Sequence, residues 1–214
     1  MIRLLIVEDH HLVRTGLRNI ISDAGGIEIV GEAESGERAI QLNRERQPHV
    51  ILMDIGLPGL SGFETSERIM AARPEVRIIA LTAHAQPPFP ARLLDMGAAG
   101  YLTKACDAAE LVTAIRKVHA GERYIGSEIA QQLAMSLLPG TPRSPFQELT
   151  PRELEVALML ARGLKPSEIG KRINVSPKTV STHKYRIYEK LGIDSEVALL
   201  REALRHGVIE AEDD

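Results

Sequence analysis

Five times within about the first 120 residues, a short apolar run is followed by a stretch of helical periodicity, and few folds accommodate that alternation. Residues 2–7 are rich in Ile, Leu and Val, and residues 11–22 then space Leu12, Val13, Leu17, Ile20 and Ile21 along one helical face. The pattern repeats as strand 27–32 with helix 35–46, strand 49–53 with helix 61–72, strand 76–81, and strand 100–102 with helix 107–120. Ser35 and Asp107 are placed to cap the helices they open. In the fourth unit Pro87, Pro88 and Pro90 crowd the stretch ahead of residues 91–96, so the helix there is expected to be short and late-starting. Strand-then-helix repetition at this spacing predicts an α/β fold, a doubly wound five-stranded parallel sheet with helices on both faces.

The pattern then changes. Residues 127–138 carry Ile129, Leu133 and Leu137 four apart, a helical spacing, and residues 139–145 hold four Pro or Gly in seven, which reads as an exposed boundary. The expected division is a domain over 1–122, a linker over 123–147 and a second domain over 148–214. The second domain reads as all-helical. Thr150-Pro151-Arg152-Glu153 forms a capping box with proline at the first helical position, and its helix runs to Arg162 and stops at Gly163. Residues 166–173 form a second helix, and Ser176-Pro177 opens a third that ends at Gly192. A fourth starts at Asp194 or Ser195 and ends near His206-Gly207. Asn174-Val175-Ser176, between two of these helices, gives helix-turn-helix spacing.

Composition excludes several classes. Hydrophobic residues make up 44% and charged residues 26%, a globular balance. No apolar run reaches the ~18 residues of a membrane span, and Leu4-Leu5-Ile6-Val7 is too short for a signal-peptide core. The single cysteine, Cys106, excludes an internal disulfide framework and reads as a small, semi-buried residue. The expectation is a soluble cytoplasmic protein with no membrane partner. The net charge of −3 hides a basic stripe: residues 162–190 hold eight Lys or Arg against Glu168 and Glu189. Such a stripe is either a solvated helix face or a nucleic-acid footprint.

In an open parallel sheet, ligands sit outside the carboxyl ends of the strands. Glu8 and Asp9 follow the first strand, Asp54 the third, Thr82 the fourth and Lys104 the fifth. Three carboxylates in one crevice repel one another and call for a cation. Mg2+ accepts one or two carboxylates, water and a phosphate oxygen, so it is the expected cofactor. Asp54 is then placed to act as a nucleophile toward a phosphoryl group, with Lys104 and the metal neutralising its oxygens. The Thr82 hydroxyl could bond a phosphoryl oxygen once one is present, a contact that exists in one state only.

In the basic region, helical geometry puts Val180, Ile187 and Leu191 within about 40° of one another as the buried face of the third helix. Lys178, Thr182, Tyr185 and Glu189 lie opposite, flanked by Ser181 and Arg186. Hydroxyl, amine, guanidinium and phenol groups on one outward face suit base edges and phosphates.

Val7-Glu8-Asp9-His10, Met53-Asp54-Ile55-Gly56-Leu57-Pro58-Gly59, Leu81-Thr82-Ala83 and Gly100-Tyr101-Leu102-Thr103-Lys104 together resemble the receiver domain of bacterial response regulators. Leu149-Thr150-Pro151-Arg152-Glu153-Leu154-Glu155-Val156, residues 176–183 and Lys190-Leu191-Gly192 resemble the LuxR-type helix-turn-helix. The pair is similar to the NarL/FixJ class of two-component transcription regulators. Residues 88–94, 129–134, 144–146 and 185–191 further resemble the GacA/UvrY/LetA subfamily. The resemblance implies phosphorylation of Asp54 by a sensor histidine kinase of hybrid type. It implies Mg2+ held by Glu8, Asp9, Asp54 and the main-chain carbonyl of Gly56, and a switch through Thr82 and Tyr101. It also implies promoter DNA read by Ser181, Thr182 and Tyr185, with Lys178, Lys184, Arg186 and Lys190 at phosphates. RNA polymerase is the implied partner at the promoter, and a homodimer forms on phosphorylation, with the final helix as a dimer contact. The subfamily likeness implies activation of small regulatory RNA genes controlling virulence, motility or biofilm.

Gly56 and His84, two residues beyond Asp54 and Thr82, should border a phosphoryl group and tune its lifetime; His84 reads equally as a solvated loop residue. Two other readings stay open. A Mg2+-dependent phosphatase also uses an aspartyl nucleophile, but needs a second acid two residues on, where this chain has Gly56. A DNA-binding regulator with a vestigial, phosphorylation-independent receiver is the other.

Overall fold

The computed structural model describes residues 1–82, 96–136, 144–206 and 208–209. It divides into two compact units, the first ending at Leu133 and the second carrying the C-terminal helices. In the first unit the described elements are β1 (Ile2–Val7), α1 (His11–Asp23), β2 (Ile27–Ala33), α2 (Gly36–Arg46), β3 (Val50–Asp54), α3 (Gly62–Ala72), β4 (Arg77–Thr82), β5 (Gly100–Thr103), α4 (Ala108–Ala120) and β6 (Tyr124–Ile125). Helix α5 (Ser127–Ser136) follows. The expected helix at 91–96 and the proline cluster before it fall outside the described residues except Met96, as do His84 and residues 137–143 of the linker.

All strands are parallel and run in the order β2-β1-β3-β4-β5-β6. The sheet has six strands where the sequence predicts five. The extra one is two residues long, too short to leave a periodic signal, and joins the edge by two backbone bonds, Tyr124 N–H to Ala99 O and Gly126 N–H to Tyr101 O. Gly121, in the left-handed conformation that closes α4, turns the chain into that edge.

The period of two along each strand sorts the side chains to opposite faces. Leu4, Ile6, Val50, Leu52, Ile79, Leu81 and Leu102 form one core layer with Ile21 of α1 and Leu111, Ala114, Ile115 and Val118 of α4. Buried Leu5, Ile51, Met53, Ile78 and Tyr101 alternate with them. All five residues of β3 are buried, as expected for a parallel strand covered on both sides. Each such Leu or Ile contributes roughly 1.5–3 kcal/mol by leaving water.

Ser35, Ser61 and Asp107 each cap their helix, accepting from the backbone N–H of Arg38, Glu64 and Glu110. At Gly62 two stretches of backbone approach closely. A Cβ there would lie 2.1 Å from the carbonyl oxygen of Asp54, so α3 can start against the end of β3 only with glycine in place.

The second unit holds a 3-10 turn (Pro145–Glu148), α6 (Pro151–Ala161), α7 (Pro166–Arg172), α8 (Pro177–Leu191) and α9 (Glu196–Arg205). The capping box at Thr150 and Glu153 forms as expected. Between α7 and α8 the chain reverses at Asn174, whose φ of 54° is left-handed. There Val175 N–H donates to Gly170 O. A Cβ on Gly170 would meet the Val175 carbonyl oxygen at 2.7 Å, so this turn also depends on a glycine. Val180 and Ile187 are fully buried as expected, while Leu191 is half-buried because the helix ends there at Gly192.

Candidate phosphoacceptor site and DNA-reading helix

The strand order reverses between β1 and β3, and their carboxyl ends meet where an open α/β sheet receives ligands. Register places Val7 beside Met53 and Asp54 beside Leu81, so Glu8, Asp54 and Thr82 arrive side by side. The backbone N–H of Lys104 donates to Thr82 O at 2.7 Å and brings the fifth group in.

Asp54 is almost fully buried. Its Oδ1 accepts the Gly56 N–H at 2.9 Å, and its Oδ2 lies 2.8 Å from Lys104 Nζ. The same ammonium is 2.7 Å from Glu8 Oε2. Burial and the neighbouring Asp54 charge push the Glu8 carboxyl above its ordinary value, against the pull of Lys104. Burial pulls the Lys104 ammonium down, but the hydrogen bond to Asp54 and the adjacent Glu8 carboxylate overcome it and hold the group charged to higher pH. One lysine therefore neutralises only part of a buried anionic cluster.

Glu8, Asp9, His10 and Asp54 present ligand atoms within 4.8 Å of one another. Glu8 Oε2 and Asp9 Oδ1 are buried without a hydrogen bond of good geometry, although Lys104 and His10 approach them at ion-pair distance. Buried oxygens without a well-made hydrogen bond are open to a divalent ion, and the donor set of carboxylates fits Mg2+. Gly56 is exposed, and a Cβ on it would sit 3.5 Å from Asp54 Oδ1, an ordinary contact.

Tyr101 is fully buried and hydrogen-bonded to Thr82; burial raises its phenol pKa. Cys106 is semi-buried, and burial, with Glu110 and Asp107 nearby, pushes its thiol up to about 11, which disfavours the thiolate.

Sequence reasoning missed Arg14. Its guanidinium donates to the carbonyls of Glu8 at 2.6 Å and Asp9 at 3.3 Å and lies 3.5 Å from Glu32 of β2. It clamps the acidic loop from α1. Only the pairing of β2 with β1 puts Glu32 within its reach, so no local signal announces it.

On α8, Lys178, Ser181, Thr182, Tyr185 and Arg186 are exposed, with Tyr185 72% accessible. The Ser181 and Thr182 hydroxyls donate to the carbonyls of Pro177 and Lys178 one turn back, leaving their lone pairs outward. The structure separates two lysines from this group. Lys184 is half-buried on the inward flank, 2.6 Å from Glu196 of α9 and 5.4 Å from the centre of the Tyr188 ring. Lys190 donates to Glu153 at 2.7 Å and to Glu148 O at 3.2 Å.

A parallel sheet with a lysine-bridged aspartate at its switch point defines a phosphoacceptor receiver, here joined to a helix-turn-helix. Residues 4–116 match the response regulator receiver domain, and residues 147–203 match the bacterial regulatory proteins of the luxR family. The chain is 47% identical to the response regulator GacA of Pseudomonas viridiflava over 212 residues, 99% of each chain. It is 46% identical to the response regulator UvrY of Escherichia coli K12 over 213 residues, 99% of this chain and 98% of UvrY. Among solved structures it is similar to RcsB of Salmonella enterica serovar Typhimurium bound to promoter rprA with the phosphomimetic BeF3−. The TM-score there is 0.69 at 26% identity, covering 94% of this chain and 98% of that one. The chain belongs to the two-component response regulators with a LuxR-type DNA-binding domain.

Among the described residues, no helix is long and apolar enough to cross a membrane.

Proposed function

We propose that this protein is a phosphorylation-gated transcription factor of the cytoplasm, not an enzyme, in which Asp54 takes a phosphoryl group from a hybrid sensor histidine kinase. The observation that carries it is the Asp54 carboxylate, buried and held 2.8 Å from Lys104 Nζ, in one chain with an exposed basic α8. Residues 1–122 are the receiver, 123–147 the linker and 148–214 the DNA-binding domain.

An Asp54 oxygen attacks phosphorus; the bond from phosphorus to the donor breaks, and its electron pair leaves with the donor. Glu8, Asp9, Asp54 and the Gly56 carbonyl would hold Mg2+, which when bound supplies charge neutralisation to the phosphoryl oxygens. Lys104, 2.8 Å from Asp54, would add its positive charge to that neutralisation. The Thr82 hydroxyl has one proton. Once that proton is donated to a phosphoryl oxygen, the Tyr101 hydroxyl must donate to Thr82, so phosphorylation fixes the direction of a bond already present. That bias shifts a two-state domain.

Lys178 and Arg186 are proposed to meet phosphates, and Ser181, Thr182 and Tyr185 to approach bases. Val197, Leu200 and Leu204 are exposed at helical spacing on α9 and suit contact with a second copy, which would match paired half-sites. RNA polymerase is the partner at the promoter. By likeness to the GacA/UvrY group, the targets are small regulatory RNA genes that control virulence, motility or biofilm.

The test is binding to genomic fragments and mass in solution, with and without Mg2+ plus beryllofluoride. Tighter specific binding and dimerisation of wild type, with no response from Asp54→Asn, is the expected result. An equal response of both proteins would support the vestigial-receiver reading.

Two further outcomes separate the lysines. Lys178→Ala should weaken DNA binding and flatten its salt slope by about one unit, as loss of one phosphate contact does. Lys190→Ala should instead lower the thermal midpoint, because it leaves the buried Glu153 carboxylate, held below its usual range by Lys190, without its cation. Titrations of both variants against salt, with melting curves, check the division.

At the acidic site, Gly56→Asn should change the lifetime of the phosphoryl group several-fold while the fold stays intact. A Cβ at this position meets Asp54 Oδ1 at 3.5 Å, an ordinary contact, so a polar side chain starting there stands beside the reacting carboxylate. Loss of label from acetyl-phosphate-treated protein over time measures it.

A further inference from the structure

His10 takes no part in the function proposed above, yet its side chain stands over the acidic site. It opens α1, and its own N–H donates to Glu8 Oε1 at 3.2 Å. Its ring nitrogen Nδ1 lies 3.2 Å from Glu8 Oε1 and 3.0 Å from Asp9 Oδ1. The imidazole side chain is 69% exposed, whereas Glu8 is 1% and Asp9 26% exposed, so the ring stands on the solvent side of one buried and one half-buried carboxylate.

These separations match a coordination sphere. Ligand atoms about 2.0–2.1 Å from a first-row divalent ion stand about 3 Å apart at neighbouring octahedral positions. The His10 nitrogen already stands at that spacing from one oxygen of each carboxylate, and all the ligand atoms of the cluster lie within 4.8 Å of one another. Mg2+ has little use for the nitrogen, because it prefers oxygen donors and keeps much of its water. Co2+, Ni2+ and Zn2+ accept imidazole readily, and two carboxylates with one imidazole suit them better than carboxylates alone.

We propose that His10 is a metal-specificity residue: its Nδ1, with Glu8 and Asp9, makes the receiver site accept a transition divalent ion in competition with Mg2+. The inference rests on the acidic site being a cation site. It adds that occupancy depends on which divalent ion is present, with the imidazole displaced from its carboxylate contacts onto the metal.

The test uses the full-length chain stripped with a chelator. Titrations with MgCl2 and CoCl2 are followed by calorimetry, and Co2+ is also followed by its visible absorption. Wild type, His10→Ala and His10→Gln are compared. The double variant His49→Ala/His119→Ala controls for the stacked histidine pair, whose rings are 5.1 Å apart. The expected result is at least a tenfold loss of Co2+ affinity in both His10 variants, with a changed absorption band and Mg2+ affinity within about threefold of wild type. The control should bind Co2+ at the acidic site as wild type does. Equal Co2+ affinity and spectrum in wild type and His10→Ala would overturn the proposal. So would a parallel loss of Mg2+ and Co2+ affinity in both variants, which would mean that His10 only organises the loop. Labelling of Asp54 by acetyl phosphate with Mg2+, run on the same preparations, reports on the phosphoacceptor reading separately. If wild type takes up no label, that reading fails whatever the Co2+ titration gives.

Discussion

Replacing Asp54 with Asn should abolish uptake of a phosphoryl group from acetyl phosphate or a kinase while leaving the protein folded. The amide oxygen is a poor nucleophile, and no other carboxylate stands where the carboxylate of Asp54 does. Glu8 is buried and bound to Lys104 at 2.7 Å, and Asp9 faces His10. The side-chain oxygen of Asn can still accept the Gly56 N–H, and Lys104 keeps Glu8 as partner, so the local structure has little reason to change. One like charge is removed from beside Glu8, whose carboxyl should fall back toward its ordinary value. The thermal midpoint should therefore not drop below wild type. Phosphate-affinity electrophoresis and a melting curve on the same sample decide it. Label retained at position 54 in the variant, or a chain that no longer folds, would remove Asp54 from the role assigned here.

The second large effect concerns a residue without a side chain. Gly62→Ala should cost about 3 kcal/mol, the upper end for overpacking, and lower the thermal midpoint by roughly 10 °C. Its new Cβ would stand 2.1 Å from the Asp54 carbonyl oxygen and 2.7 Å from the Ile55 Cα, both backbone atoms at the strand end that carries Asp54. Nothing flexible can yield, so either α3 retreats or β3 bends. Both displace Asp54 from Lys104, and phosphoryl uptake should fall along with stability. Gly16→Ala in α1 provides the contrast. Nothing lies within 4 Å of its added Cβ, and alanine in a helix interior should stabilise by about 0.5–1 kcal/mol. A midpoint for Gly62→Ala equal to that of wild type would show that the two elements have more room than their contact distance indicates.

Much of this protein is determined locally, and that part was legible in the residues. Apolar runs and capping serines set the strands and helices, because periodicity and end-capping act within a few residues. The four groups Glu8, Asp54, Thr82 and Lys104 were legible as one site because a parallel sheet gathers strand ends whatever the details of packing. The helix-turn-helix was legible because its turn and caps are also local. Tertiary structure decided what depends on distant segments meeting. The two-residue strand β6 exists only because β5 offers an edge. Arg14 becomes a clamp only because β2 places Glu32 beside it. Lys184 and Lys190 read as part of one basic stripe, yet folding turns each toward a carboxylate of its own domain, which lines up basic residues by helical position but pairs charges by proximity in space. The necessity of Gly62 likewise belongs to the tertiary structure, because the atoms that exclude a side chain there come from the strand eight residues earlier, brought within contact by the packing of α3 on the sheet.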